Sequence, residues 1–353
     1  MRSAGLALLL RAALAGPALA APPSEIFRPV AFADLAGWAE DDHAAALRVL
    51  RETCPALPRP SILTEACQDA ALGREGEARN FFERHFTPVE IAAGGFLTGY
   101  FEPELAGSLE SGPGFLVPLL GPPDGEGPWP DRAAIEDGAL DGRARPVAWL
   151  RDRVDAFTVH VQGSARLRLA DGEVVRVGFA GRNGQPYTGI ARLLVERLGL
   201  PPAAMTADRL EAWLRQNPDE GRALMRRNRS FIFFRRLSSP RPGEGPIGAA
   251  GVPVSAGRGL AIDRSVWPYG LPVWLEADVA RPGADDRLAI RRLAVAQDTG
   301  AAILGPGRGD LFVGSGPEAG AQAALMRDRV RFVVLWPQGV AGPPAAPPLA
   351  GRP

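Results

Sequence analysis

Three aspartates sit beside small residues and short apolar runs in the last third of the chain. They lie in Ala261-Ile262-Asp263-Arg264-Ser265, Ala296-Gln297-Asp298-Thr299-Gly300 and Arg308-Gly309-Asp310-Leu311-Phe312. A carboxyl at the end of an apolar strand is partly desolvated, which raises its pKa, and a second carboxyl nearby raises it further. Such a group can donate a proton near neutral pH. The plainer alternative, from spacing alone, is that these aspartates tie down turns through backbone hydrogen bonds.

Other chemistries lack their parts. There is no Gly-rich phosphate loop, no G-x-S-x-G elbow and no H-E-x-x-H. His43, His85 and His160 are scattered, and Cys54 and Cys67 are not in C-x-x-C spacing, so neither a metal site nor a cofactor is expected. Asp298-Thr299-Gly300 resembles an aspartic-protease triplet, but no second copy exists and too little chain follows for a protomer of the single-triplet kind. Arg308-Gly309-Asp310 matches an integrin tripeptide by chance.

Composition narrows the partners. The 353 residues carry 40 basic and 40 acidic side chains, every basic one an arginine. Zero net charge argues against nucleic acid as a partner. Hydrophobic residues make up 46%, which argues against disorder. Gly (42) and Pro (35) are too many for a helix bundle and suit short strands joined by turns. Met1-Arg2, the apolar runs on either side of Arg11 and Ala18-Leu19-Ala20 read as a signal peptide over 1–20; the alternative is a short buried helix. Its removal would take two arginines and no acid. No cysteine near the cleavage point marks a lipid anchor, and no other stretch is long and apolar enough to span a membrane. In an exported, oxidising compartment Cys54 and Cys67 can close a disulfide.

Several elements must position the aspartates. Asp41 or Asp42 caps a helix over 44–51, and a second helix is expected from Cys67 through Phe82. Gly94–Pro103 reads as an aromatic strand. Residues 112–146 read as loop. Phe157, Val159 and Val161 alternate with polar residues as a half-buried strand, and Asp171-Gly172 marks a hairpin between 166–169 and 174–177. Helices are expected over 190–198 and around Leu210–Leu214, the second stopped near Pro218. Strands follow at 230–235, 259–262, 271–275, 288–296, 311–313 and 331–335, as in a small β-barrel. Pro240–Pro246 reads as a linker.

These motifs together resemble the membrane-bound lytic murein transglycosylase A family. The matching segments are Leu97-Thr98-Gly99-Tyr100-Phe101-Glu102-Pro103, Asp155-Ala156-Phe157, Gln162-Gly163-Ser164-Ala165-Arg166, Val177–Gly184, Pro186-Tyr187-Thr188, Asn228–Arg235, Gly245–Ala249 and the three Asp segments, in family order. The resemblance implies a mainly β (α+β) protein: a double-psi β-barrel built from 21–105 and 244–338, with an inserted smaller β-rich domain over 106–243 and flanking helices; residues 339–353, rich in Pro, Ala and Gly, read as a flexible tail. It implies a glycan groove between the two domains and peptidoglycan glycan strands as the partner.

The implied reaction is non-hydrolytic cleavage of the MurNAc-β-1,4-GlcNAc bond to a 1,6-anhydro-MurNAc end. By resemblance Asp310 is the acid/base and Asp298 supports it through a hydrogen-bond network. Thr98, Gly99 and Tyr100 line the groove, and Gln162, Gly163 and Ser164 face it from the insert. Asp263 completes the substrate-side set with a mainly structural part. Ala301 and Leu304 replace the family's second Gly and its Lys, Val313 stands where an aromatic is common, and Ala165 replaces a common Gly. The location implied is the periplasm, in solution or at the outer membrane. The readings from other classes are a non-catalytic wall-binding module on the same barrel and a hydrolase of another polysaccharide.

Overall fold

The computed structural model describes residues 26–201, 204–237 and 243–343. The expected signal peptide over 1–20, residues 238–242 of the linker region and the tail from residue 344 lie outside the described residues.

Fourteen described strands form two sheets, and the order in which the chain visits them defines the architecture. Strands β1 (Phe27–Pro29), β2 (Phe86–Ile91) and β3 (Gly95–Glu102) open the first sheet. The chain then leaves for the second sheet, made of β4 (Glu104–Ser108), β5 (Val117–Leu120), β6 (Pro146–Leu150), β7 (Ser164–Arg168), β8 (Val174–Arg182) and β9 (Ile232–Leu237). It returns with β10 (Gly259–Ile262), β11 (Pro272–Arg281), β12 (Ala284–Asp298), β13 (Arg308–Ser315) and β14 (Arg327–Pro337).

Six strands of the first sheet close into a barrel in the order β14-β11-β12-β10-β13-β3, with β3 pairing back to β14. Closure leaves no edge among those strands. The double-psi expectation therefore holds as a closed six-stranded barrel drawn from both ends of the chain. Its interior is apolar: Leu97, Leu260, Leu311 and Phe332 are buried there, while Trp274 and Leu293 face the outer layer. Helices His43–Thr53, Thr64–Leu72 and Ala78–His85 pack on its outside through Leu47, Leu50 and Phe82. Asp42 caps the first, accepting from the Ala45 amide at 2.9 Å. The Cys54–Cys67 disulfide joins the first two. The second sheet has its own core of Leu119, Leu150, Val159, Leu167, Val177 and Phe234.

Four sequence expectations change. Residues 157–162 are not a strand: Arg153–Gln162 is a helix capped by Asp152, with Ala156 and Val159 buried against the second sheet and Val154 and Phe157 against the neighbouring helices. The helix expected from Cys67 to Phe82 is two helices, broken at Gly73. Residues 112–146 hold β5 and a short helix, Arg132–Glu136. Pro218 starts a helix, Pro218–Arg226, at a position where its missing N–H costs nothing. The hairpin at Asp171-Gly172 is present, with Gly172 at φ +89° between β7 and β8.

Candidate active site

The site is assembled by strand register. In β3 and β13, which run parallel, Thr98 lies opposite Asp310. In β13 and β10, Asp310 lies opposite Ala261, and in β10 and β12, Ala261 lies opposite Asp298. One row across four strands thus reads Asp298–Ala261–Asp310–Thr98. The small Ala261 separates the two carboxyl-bearing strands, whose backbones are about 10 Å apart at the usual strand spacing. Asp298 reaches that row through a register shift beside Leu260. The bulge turns Gln297 inward, where it is fully buried and bonds Thr53 and Ser255, and leaves Asp298 facing the site.

Asp298 is held on every side. Its Oδ1 accepts from the Ala249 and Thr299 amides, both at 2.9 Å, and its Oδ2 accepts from the Tyr100 hydroxyl at 2.8 Å. Desolvation still raises its pKa, against the lowering effect of those bonds. The loop carrying Ala249 lies tightly against this strand: a Cβ on Gly248 would stand 2.6 Å from the Gln297 carbonyl oxygen.

Asp310 is the less encumbered of the two. Its Oδ1 accepts from the Thr98 hydroxyl at 2.5 Å, and no other hydrogen bond to its carboxyl is found among the described residues. Desolvation raises its pKa most; the Thr98 bond and the Arg308 charge lower it, and the Asp298 charge raises it. An acid with a raised pKa and one oxygen uncommitted is suited to give a proton and take one back.

The remaining expected residues divide. Thr98 and Tyr100 share the site face of β3, and both touch an aspartate. Gly99 faces the other way. A Cβ there would lie 2.8 Å from Met326 Sδ and 3.0 Å from the Ala323 Cα, so helix Pro317–Leu325 fills that side and Gly99 does not line the groove with Thr98 and Tyr100. Asp263 is also displaced from the substrate side. It accepts from the Ser265 amide and hydroxyl and, at 2.6 Å, from the Gly305 amide, so it braces the 299–307 loop beside the site. Gln162 spends its Oε1 on the Phe101 amide at 3.3 Å, Gly163 ends the helix at φ +82°, and Ser164 is buried at the start of β7. Gln162 thus ties the end of its helix to β3, while Ser164 pairs with Gly178 of β8 and has no open face to offer.

Two participants have no sequence signal of chemistry. Tyr187 of the inserted segment stands close enough for the Asp310 charge to raise its pKa, although desolvation is the larger cause and Arg132 acts in the opposite direction. Glu102, at the end of β3, is fully buried where the chain crosses between the sheets. It pairs with Arg166 and Arg176 of the second sheet, both at 2.8 Å, and accepts from Ser315 of the barrel at 2.9 Å. Both arginines also donate to the Glu244 carbonyl on the returning chain. No group of three or more His, Cys, Asp or Glu that could hold a metal ion occurs among the described residues.

The fold is a closed six-stranded β-barrel with an inserted second sheet, and two buried carboxyls, Asp298 and Asp310, lie in one row on the barrel. Residues 96–235 match the MltA specific insert domain and residues 258–336 the 3D domain. A membrane-bound lytic murein transglycosylase A from Vibrio cholerae is 31% identical over 261 residues, 72% of this chain and 67% of that protein. The crystal structure of a membrane-bound lytic murein transglycosylase from Agrobacterium tumefaciens is 34% identical with a TM-score of 0.78, covering 89% of this chain and 98% of that one. Escherichia coli MltA with bound chitohexaose is 25% identical with a TM-score of 0.68, covering 83% and 89%. The chain belongs to the membrane-bound lytic murein transglycosylase A family.

Proposed function

We propose that this chain is a peptidoglycan lytic transglycosylase in which Asp310 acts first as acid and then as base. The observation that carries the reading is the Asp310 carboxyl: held at one oxygen by Thr98, raised in pKa by burial and set in one row with Asp298. Ordinary glycosidases need a second carboxyl as nucleophile or base. Here the substrate supplies its own nucleophile. Asp310 protonates the glycosidic oxygen of the departing GlcNAc as the C1–O4 bond breaks. The C6 hydroxyl of the same MurNAc closes on C1 and returns its proton to the Asp310 carboxylate. The product ends in 1,6-anhydro-MurNAc, no water is consumed, and the enzyme regains its starting state. Asp298, fixed by three bonds, supplies nearby negative charge for the transient sugar cation.

In this reading 21–105 with 244–338 form the catalytic barrel and 106–243 the insert that covers the glycan. Tyr100 and Thr98 shape the floor, and locally placed arginines rather than net charge meet the anionic polymer. The protein works in the periplasm; the Cys54–Cys67 disulfide fits an oxidising compartment. No helix among the described residues is long and apolar enough to cross a membrane.

Mass spectrometry of sacculus digests tests the proposal. Wild type should release anhydro-muropeptides, lighter by one water than hydrolysis products, and Asp310→Asn should release none while keeping its fold. Reducing ends alone would make the protein a hydrolase. Glycan binding with no product would make it a wall-binding module.

A further inference from the structure

The hydrogen bonds around Asp310 have a direction. Arg308 precedes Asp310 by two residues on the same face of β13, and its Nη2 reaches the Thr98 hydroxyl oxygen at 2.8 Å. Its guanidinium is fixed by further bonds to the Phe96 and Gly309 carbonyls and lies over the Phe96 ring. A guanidinium only donates, and a hydroxyl has one proton. With its oxygen accepting from a cation, the Thr98 hydroxyl becomes a stronger donor. Its one acceptor among the described contacts is Asp310 Oδ1. Turning that proton elsewhere would leave it without a protein partner in a half-buried strand.

We infer that Arg308 and Thr98 form a one-way relay that reserves Oδ1 of Asp310 as an acceptor and so places the catalytic proton on Oδ2. The inference rests on Asp310 being the acid. Both relay members are positioning residues: neither transfers a proton to substrate. The leaving glycosidic oxygen must then approach Oδ2, and the C6 proton returns to Oδ2. Oδ1 keeps the same bond in both protonation states, so the carboxyl need not rotate between the two halves of the reaction. The charged and titratable groups around Asp310 are Arg308 on its own strand, Asp298 on β12, Tyr100 on β3 and Tyr187 from the insert, with Thr98 on β3 as the neutral donor. Arg308 and Thr98 favour the carboxylate; Asp298 favours the acid.

The test is the pH profile of kcat on a soluble GlcNAc–MurNAc oligosaccharide, alongside KM. Activity needs the protonated acid, so the alkaline limb follows its pKa. Thr98→Val removes a bond to the charged form. It should lower kcat roughly 10- to 100-fold, leave KM nearly unchanged and move the alkaline limb up by about one pH unit. Arg308→Met should move the limb the same way, and Thr98→Ser should recover most of the lost rate. Circular dichroism and glycan binding check that each variant folds. Alkaline limbs of Thr98→Val and Arg308→Met that coincide with wild type would overturn the relay. An active Asp310→Asn would instead overturn the assignment of the acid beneath it.

Discussion

Replacing Glu102 by glutamine should cost this protein more stability than any other single charge removal on its surface or seams. The carboxylate is fully buried, the Arg176 side chain is 3% exposed and the Arg166 side chain 18%. Two guanidinium ions therefore share one anion in a place that water does not reach. Their other described partner there is the Glu244 carbonyl, which carries no formal charge. Glutamine keeps the shape and one acceptor but leaves both cations uncompensated. Breaking a buried pair in this way costs about 3–5 kcal/mol, a large share of the roughly 5–15 kcal/mol that holds a domain folded. With a urea m-value of about 3 kcal/mol per molar, the unfolding midpoint should fall by about 1 M or more. The control is Glu104→Gln, two residues on, whose partner Arg168 is 55% exposed; an exposed pair is worth at most about 1 kcal/mol. Urea unfolding followed by tryptophan fluorescence measures both. If the two variants shift the midpoint equally, the buried cluster is not what holds the sheets together.

Three further outcomes follow from the site and its supports. Gly99→Ala drives a methyl into Met326 and the backbone of helix Pro317–Leu325, so it should cost about 1–3 kcal/mol and lower activity by displacing Thr98 and Tyr100; calorimetry with an activity assay reads both. Asp310→Asn should be at least as stable as wild type at pH 7, because burial raises the folded-state pKa. The native state then binds the Asp310 proton more tightly than the unfolded chain, so the stability from this group is full below the unfolded pKa and is lost as pH rises through the folded one; the advantage of the variant should vanish near pH 3, and denaturant midpoints across pH would show it. Replacing Cys54 and Cys67 together by alanine opens a loop with a sequence separation of 13 and should cost about 2–4 kcal/mol; two free thiols in the unreduced, denatured wild type would show that the bridge does not form.

Much of the barrel is legible because its strands are short apolar runs between Gly and Pro turns: 259–262 is placed to the residue, and Asp263 and Asp298 fall at strand ends, whereas Asp310 stands third in β13, paired on both sides. The helix Arg153–Gln162 was misread because Phe157, Val159 and Val161 happen to alternate. Its true signals were local, Asp152 as cap and Gly163 as stop, while Val161 is 43% exposed and the small Ala156 is buried. Helix Pro317–Leu325 has almost no apolar stripe to find, since alanine and glycine dominate it and its one fully enclosed residue is Ala323. The roles of Gly99 and Ser164 depend on which side of a strand is occupied, and a one-residue bulge decides that for Asp298. Tyr187 and Glu102 act across sequence gaps of more than sixty residues, which no local pattern reveals.

The pairing of β3 with β13 also sets when the enzyme can first act. Thr98 and Asp310 are 212 positions apart, and the strand between β3 and β11 that closes the ring is the last one described. A chain emerging from synthesis, or halted before its final strands, has neither the row of carboxyls nor a closed wall behind them. Contacts of such long range form late and slowly. The ring thus closes only once the chain through β14 has been made, and in the proposed reaction a wall-cutting activity is withheld from products that stop short of that strand.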